Sequence, residues 1–230
     1  MTARERVTRT LRHQPVDRAP RDLWSVPGIA MTRADELERL LALFPGDFQA
    51  PTYRYGRSGR AQGTPNVVGR YTDDWGSTWH VAELGIVGEV KEPCLADWSA
   101  LAGYQPPFEL LEEADLSQVD ASCAASSCYM KVGTETRPFE RLQFLRGSES
   151  LFVDLAYGTA ELRRLLQMLH DFYCREMRMW ADTDVDGVCF SDDWGAQTSL
   201  LIDPALWREL FKPLYREYCQ ILRGKGKHVF

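Results

Sequence analysis

The chain has 230 residues, 44 % of them hydrophobic and 26 % charged, an average soluble composition that excludes a disordered chain, a collagen and a disulfide-stapled miniprotein. Its formal net charge of −6 argues against phosphate backbones and anionic membranes as general partners. There is no run of apolar residues long enough for a membrane helix.

The first twelve residues carry Arg4, Arg6, Arg9 and Arg12 and no apolar stretch, which reads as a surface helix with Val7 and Leu11 inward. Residues 18–24 read as a short strand entered through Pro20 and ending at Trp24. Thr32 is placed to cap a helix over 33–44, whose apolar stripe is Leu37, Leu40, Leu41 and Phe44. A second strand is expected at 48–54, then a Gly-rich polar loop over 56–66, then a β-hairpin between Thr78 and Val90. Short helical turns and loops fill 95–118, and a third strand is expected at 128–133.

The second half is more regular. Thr159 caps a long helix with Leu162, Leu165, Leu166, Leu169, Phe172, Tyr173, Met177 and Trp180 at helical spacing. Residues 186–190 form a compact buried strand. Asp203-Pro204 starts a helix running to about Arg223, which Pro213 should bend. Gly224 stops it, and 226–230 begins another strand at the chain's last residue. Strand–helix alternation of this kind predicts a parallel α/β sheet: a partial TIM-type (β/α)8 barrel with about five of its eight strands. Its last strand is expected to leave an open edge suited to self-association, with Cys189, Tyr218, Val229 and Phe230 uncovered.

The six cysteines form no CxxC pair, and the four histidines share no ligand spacing, so both sets read as structural. Free thiols and the lack of a signal segment place the chain in the cytoplasm. Chemistry concentrates in a repeated tetrapeptide, Asp73-Asp74-Trp75-Gly76 and Asp192-Asp193-Trp194-Gly195. The second copy follows a buried strand, where barrel side chains project into the ligand-binding mouth. Asp192 and Asp193 are the candidate acid and base. Trp24, Asp73, Asp74, Trp75, Trp194 and Gln197 are the candidate substrate-binding groups, for a small-molecule substrate. The plainer alternative is a turn, with Trp194 plugging the end of the barrel.

The order of these segments resembles the uroporphyrinogen decarboxylase superfamily over nearly the whole chain. The matching pieces are the basic helix followed by His13-Gln-Pro-Val-Asp-Arg-Ala-Pro20, Asp73-Asp-Trp-Gly76, Leu145-Arg-Gly147, Phe190-Ser-Asp-Asp-Trp-Gly-Ala-Gln197 and Ile202–Pro213. The resemblance implies one domain over 1–230, incomplete at its C-terminus, with the active site at the strand C-termini. It implies either cofactor-free decarboxylation of uroporphyrinogen, in porphyrin biosynthesis, or methyl transfer to or from a corrinoid or thiol acceptor. The decarboxylase branch carries arginines after the first strand, where this chain has Ser25-Val-Pro-Gly28, and an aspartate where it has Arg54. The methyltransferase-like branch therefore fits better, with a corrinoid protein as partner. Zinc, where that branch binds it, is held by a His-x-Cys pair after the fifth strand. That pair would begin beyond Phe230, so no metal or other cofactor is assigned to this chain. A non-catalytic, truncated small-molecule-binding fragment is the remaining alternative.

Overall fold

The computed structural model describes residues 1–230. In chain order the elements are α1 (Ala3–Leu11), α2 (Pro27–Thr32), α3 (Ala34–Leu43), β1 (Phe48–Gln49), β2 (Gly69–Thr72), β3 (Thr78–Val81) and β4 (Glu89–Glu92). A 3₁₀ helix (Trp98–Gly103), α4 (Glu109–Glu112), α5 (Val119–Ala125), β5 (Tyr129–Gly133), α6 (Pro138–Arg146) and α7 (Ser148–Tyr157) follow. Then come α8 (Ala160–Ala181), β6 (Gly187–Cys189), α9 (Pro204–Leu210), α10 (Lys212–Gly224) and β7 (His228–Val229).

The main sheet has the order β1-β5-β6-β7, every pair parallel, with Phe48 opposite Tyr129, Lys131 opposite Gly187 and Gly187 opposite His228. Parallel neighbours need long crossovers, and each of the three connections contains helices. Side chains alternate across the sheet. On one face Met130, Val132 and Val188 join Leu165, Leu169, Phe172 and Met177 of α8 and Tyr218 and Leu222 of α10 in a single core. On the other face the Phe48 ring lies 5.4 Å from Tyr129 and 6.0 Å from Phe230. Flat strands at opposite ends of four would stand about 14 Å apart. The sheet is therefore curled toward that face. Gly187 permits this: a Cβ there would sit 2.8 Å from the Phe230 ring and 2.9 Å from the Tyr129 hydroxyl.

Four of the five expected parallel strands are present, as neighbours. The one at 18–24 is not a strand. Pro20 has no N–H to give, and the segment makes one reciprocal tie to Asp47: the Asp47 N–H donates to the Arg21 carbonyl (2.8 Å) and the Arg21 N–H to the Asp47 carboxylate (2.7 Å). Asp47 is fully buried and also takes Arg6 (2.5 Å) and Arg18 (2.6 Å). Arg6, not Leu11, is thus the second inward residue of α1 beside Val7, and Leu11 is exposed. The helix expected at 33–44 forms as α3, but none of its apolar stripe is buried, and the Thr32 hydroxyl bonds back to the Gly28 carbonyl rather than capping it. The helix from Asp203 is capped as expected, by the carboxylate accepting the Ala205 N–H at 2.7 Å. Pro213 divides it into two helices at Phe211 rather than bending one.

The 78–90 hairpin is part of a three-stranded antiparallel sheet, β2-β3-β4. β7 is the edge strand of the main sheet, and Cys189, Val229 and Phe230 beside it are half-buried, but Tyr218 is completely covered between α8 and α10. All six cysteines are free, and no helix is long and apolar enough to cross a membrane.

Candidate active site

A cavity of about 1040 Å³ opens beyond the C-terminal ends of β1 and β5, roofed by the β2–β3 hairpin. Its lining includes Trp75, Trp79 and Arg141, all buried, and its mouth carries the exposed Arg54 and Arg57. The stacked rings of Tyr71 and Trp79, 5.9 Å apart and nearly parallel, form one wall.

The first tetrapeptide builds the roof. Asp73 accepts the N–H groups of Trp75 (3.0 Å) and Ser77 (2.9 Å) on one oxygen and the Trp79 indole N–H (2.8 Å) on the other. Gly76 sits at φ +93°, which the turn requires. Asp73 is therefore occupied in shaping the turn. Asp74 uses one oxygen to hold the Ser58 N–H at 2.8 Å. Trp75 sinks into the core edge-on to Phe172, at 4.7 Å.

The opposite wall is α6 and the loop before it. Arg141 is 4 % exposed. It donates to Glu135 at 2.9 Å, lies 3.5 Å from Asp73, and its guanidinium carbon is 4.4 Å from the Trp75 ring centre. Beneath that loop, Glu176 of α8 is wholly buried. It accepts from the Tyr55 hydroxyl (2.6 Å), the Glu135 N–H (2.9 Å) and the Thr136 hydroxyl (2.9 Å), while the Trp180 indole donates to Tyr55 at 2.8 Å. Burial pushes the Glu176 carboxyl up to about 7 against those three donors, and pushes Tyr55 well above the usual phenol range.

The second tetrapeptide lies behind α6 rather than in the cavity. Asp192 caps α6: its oxygens accept the N–H groups of Phe139 and Glu140, each at 2.8 Å, and the Tyr215 hydroxyl at 2.5 Å. Burial outweighs these donors and lifts its carboxyl to about 6. Trp194 stacks on Phe139 at 4.3 Å and borders a separate hollow of about 340 Å³ with Leu200, Ile202, Pro204, Trp207 and Arg208. Asp193 is exposed and turns back to the Gly195 N–H at 3.1 Å; Gln197 is exposed as well. Trp24 is 82 % exposed and lines neither cavity. Of the residues singled out in the sequence, then, Asp73, Asp74 and Trp75 share the large cavity, and Asp192 reaches it only through α6.

Arg137, Arg141, Glu135 and Glu176 escape sequence reading because no motif groups them; they meet only when β5, α6 and α8 pack. The signal available was the buried-type positions of Arg141 and Glu176 within otherwise apolar helix faces. The cavity lining contains no histidine or cysteine. This donor set of arginines and carboxylates does not fit the zinc implied by the resemblance.

No protein-family model matches the sequence, and no curated protein matches it. Among solved structures, the chain is similar to a methyltransferase from Methanosarcina mazei, with a TM-score of 0.65 and 13 % sequence identity, over 100 % of this chain and 68 % of that one. The likeness is one of fold. It agrees with the mixed α/β architecture and parallel sheet described above.

Proposed function

We propose that the chain is a methyltransferase-like member of the uroporphyrinogen decarboxylase superfamily. In this reading its curled parallel sheet belongs to a (β/α)8-type barrel, and it transfers a methyl group between a carboxylate-bearing small molecule and a thiol or corrinoid acceptor. One observation carries the choice of site. The cavity is lined by the guanidinium side chains of Arg137 and Arg141. Guanidinium groups in one cavity wall match the two oxygens of a carboxylate, so the complementary ligand is an acceptor-rich anion. Arg54 and Arg57 at the mouth extend the same preference.

Methyl transfer is a displacement at carbon. The acceptor's electron pair forms the new bond to the methyl group as the bond to the leaving group breaks, and the leaving group keeps that pair. For a thiol acceptor the S–H proton must go to a base. Glu135, half-buried and held by Arg141 through one oxygen, has its other oxygen free for this. Arg137 and Arg141 hold the carboxylate and balance charge on the leaving group, and the Tyr71–Trp79 wall limits its orientation. A corrinoid, on a partner protein, supplies or takes the methyl group in the variant of the reaction that uses one.

The test is turnover of the purified chain with methylcobalamin and a small thiol, read as methyl thioether formed, with carbon dioxide release from uroporphyrinogen as a parallel assay. Thioether formation that falls at least tenfold in Arg141→Lys supports the reading. Carbon dioxide release without thioether supports the decarboxylase alternative, which the cavity arginines also suit. Neither product, with an anionic ligand still bound, leaves the non-catalytic binding reading.

A further inference from the structure

A second polar cluster lies away from that cavity, where α10 packs on α8. His170 and Cys174 are one turn apart on α8, so their side chains share a face, and α10 brings Glu217 opposite them. His170 and Cys174 are both buried, Glu217 half-exposed. His170 Nε2 is 3.1 Å from a Glu217 oxygen and 3.7 Å from Cys174 Sγ, and Sγ is 3.5 Å from the other Glu217 oxygen.

We propose that His170, Cys174 and Glu217 form a binding site for a zinc-like divalent cation that ties α8 to α10. The geometry is the first argument. Metal–ligand lengths of about 2.0–2.1 Å to nitrogen or oxygen and about 2.3 Å to sulfur set the edges of a tetrahedron at about 3.3–3.8 Å. One ligand atom from each of the three residues lies within 4.8 Å of the others, so side-chain rotation alone brings them onto one ion. The second argument is orientation. His170 Nδ1 is 3.1 Å from the Tyr218 hydroxyl, so a proton on Nδ1 donates there and leaves the Nε2 lone pair for Glu217, while Cys174 Sγ lies 3.7 Å from both ring nitrogens. The third is access. A hollow of about 560 Å³ opens on the cluster, lined also by Gln167, Asp171 and Arg178, with room for a water as fourth ligand. Arg178 lies 3.7 Å from Glu217 but its side chain is 58 % exposed, so it can swing into solvent when a cation arrives. One nitrogen, one sulfur and one carboxylate select zinc over magnesium or calcium, which require oxygen ligands.

The site is distinct from the cavity and does not depend on the reaction proposed for it. Its consequence is mechanical: α8 carries Glu176, which supports the cavity loop, so cation binding stiffens that support. Binding to the folded chain alone also raises its stability by mass action.

The experiment is titration of the 230-residue chain, stripped with a chelator, with cobalt(II) and with zinc(II). The expected result is one cobalt per chain with a thiolate-to-cobalt charge-transfer band, a melting temperature raised by zinc but not by magnesium, and displacement of cobalt by zinc. Cys174→Ser should abolish the band. His170→Gln and Glu217→Gln should each weaken zinc binding at least tenfold. Cys219→Ser and Cys94→Ser should leave the band intact. Glu217→Gln guards against misfolding, because this residue is half-exposed. A band that persists in Cys174→Ser, no band in the folded parent chain, or unchanged zinc affinity in Glu217→Gln overturns the proposal.

Discussion

The Arg141 guanidinium lies over Trp75, its central carbon 4.4 Å from the ring centre, while Glu135 and Asp73 flank it at 2.9 and 3.5 Å. The roof turn and the α6 wall of the cavity are thus joined through a single buried cation. Lysine keeps the charge but cannot stack and fork together. Arg141→Lys should lower stability by about 1–2 kcal/mol, and Arg141→Met by about 3–5 kcal/mol, because Met leaves carboxylates uncompensated near a buried site. Urea unfolding monitored by tryptophan fluorescence measures both. Equal midpoints for parent and Arg141→Met would show the contact to be energetically idle.

Asp192 and Asp193 are adjacent but sit in unlike surroundings. Asp192→Ala removes a cap from α6 and should cost about 1–2 kcal/mol; it should also lower turnover by loosening Arg137 and Arg141. Asn accepts the same N–H bonds in part and should restore much of both. Asp193→Ala should change stability by less than about 0.5 kcal/mol. Comparing melting curves with rates therefore separates a positioning role for Asp192 from a direct role for Asp193. A large stability loss in Asp193→Ala would refute the exposed turn described here.

Glu176 makes stability depend on pH near neutrality. Its carboxyl is raised from 4.5 to about 7, so between those values the folded chain keeps a proton that the unfolded chain has released. Stability therefore falls as pH rises through this window, by on the order of 3 kcal/mol in all, and levels off above it. Glu176→Gln should flatten most of the slope and be the more stable protein at pH 8. Asp192, raised to about 6, accounts for the slope that remains. Denaturation midpoints taken across this pH range for both proteins decide the matter; parallel curves would remove Glu176 as the cause.

Asp47 acts with the opposite sign. Burial alone would raise its carboxyl, but hydrogen bonds from Arg18, the Arg21 N–H and Arg6 hold it below 3.8. Its contribution is complete above the unfolded value and is lost as pH falls through the lower folded one. Asp47→Asn should unfold at lower urea than the parent at pH 7, and the gap should shrink on acidification below 3.8. The same substitution should free α1 for proteolysis, because Arg6 loses a carboxylate partner.

Local sequence alone determined the elements whose signals are local. Thr159 and the apolar spacing behind it specify α8, Asp203-Pro204 specifies the start of α9, and Gly76 specifies the turn that follows Asp73. Alternation of strands and helices was enough for a parallel sheet with four of its expected members. Tertiary structure decided what these elements do. Residues 18–24 read as a short strand entered through Pro20, but Pro20 and the demands of Asp47 keep them out of the sheet. The two Asp-Asp-Trp-Gly copies are identical in sequence, yet one roofs the large cavity and the other caps α6 from behind. Their roles differ because a carboxylate's function depends on which donors reach it, and those donors come from Phe139, Glu140 and Tyr215 in one case and from Ser58, Ser77 and Trp79 in the other. His170, Cys174 and Glu217 illustrate the same limit: the i, i+4 pair is visible along α8, but the third ligand joins it only because α10 folds back across that helix.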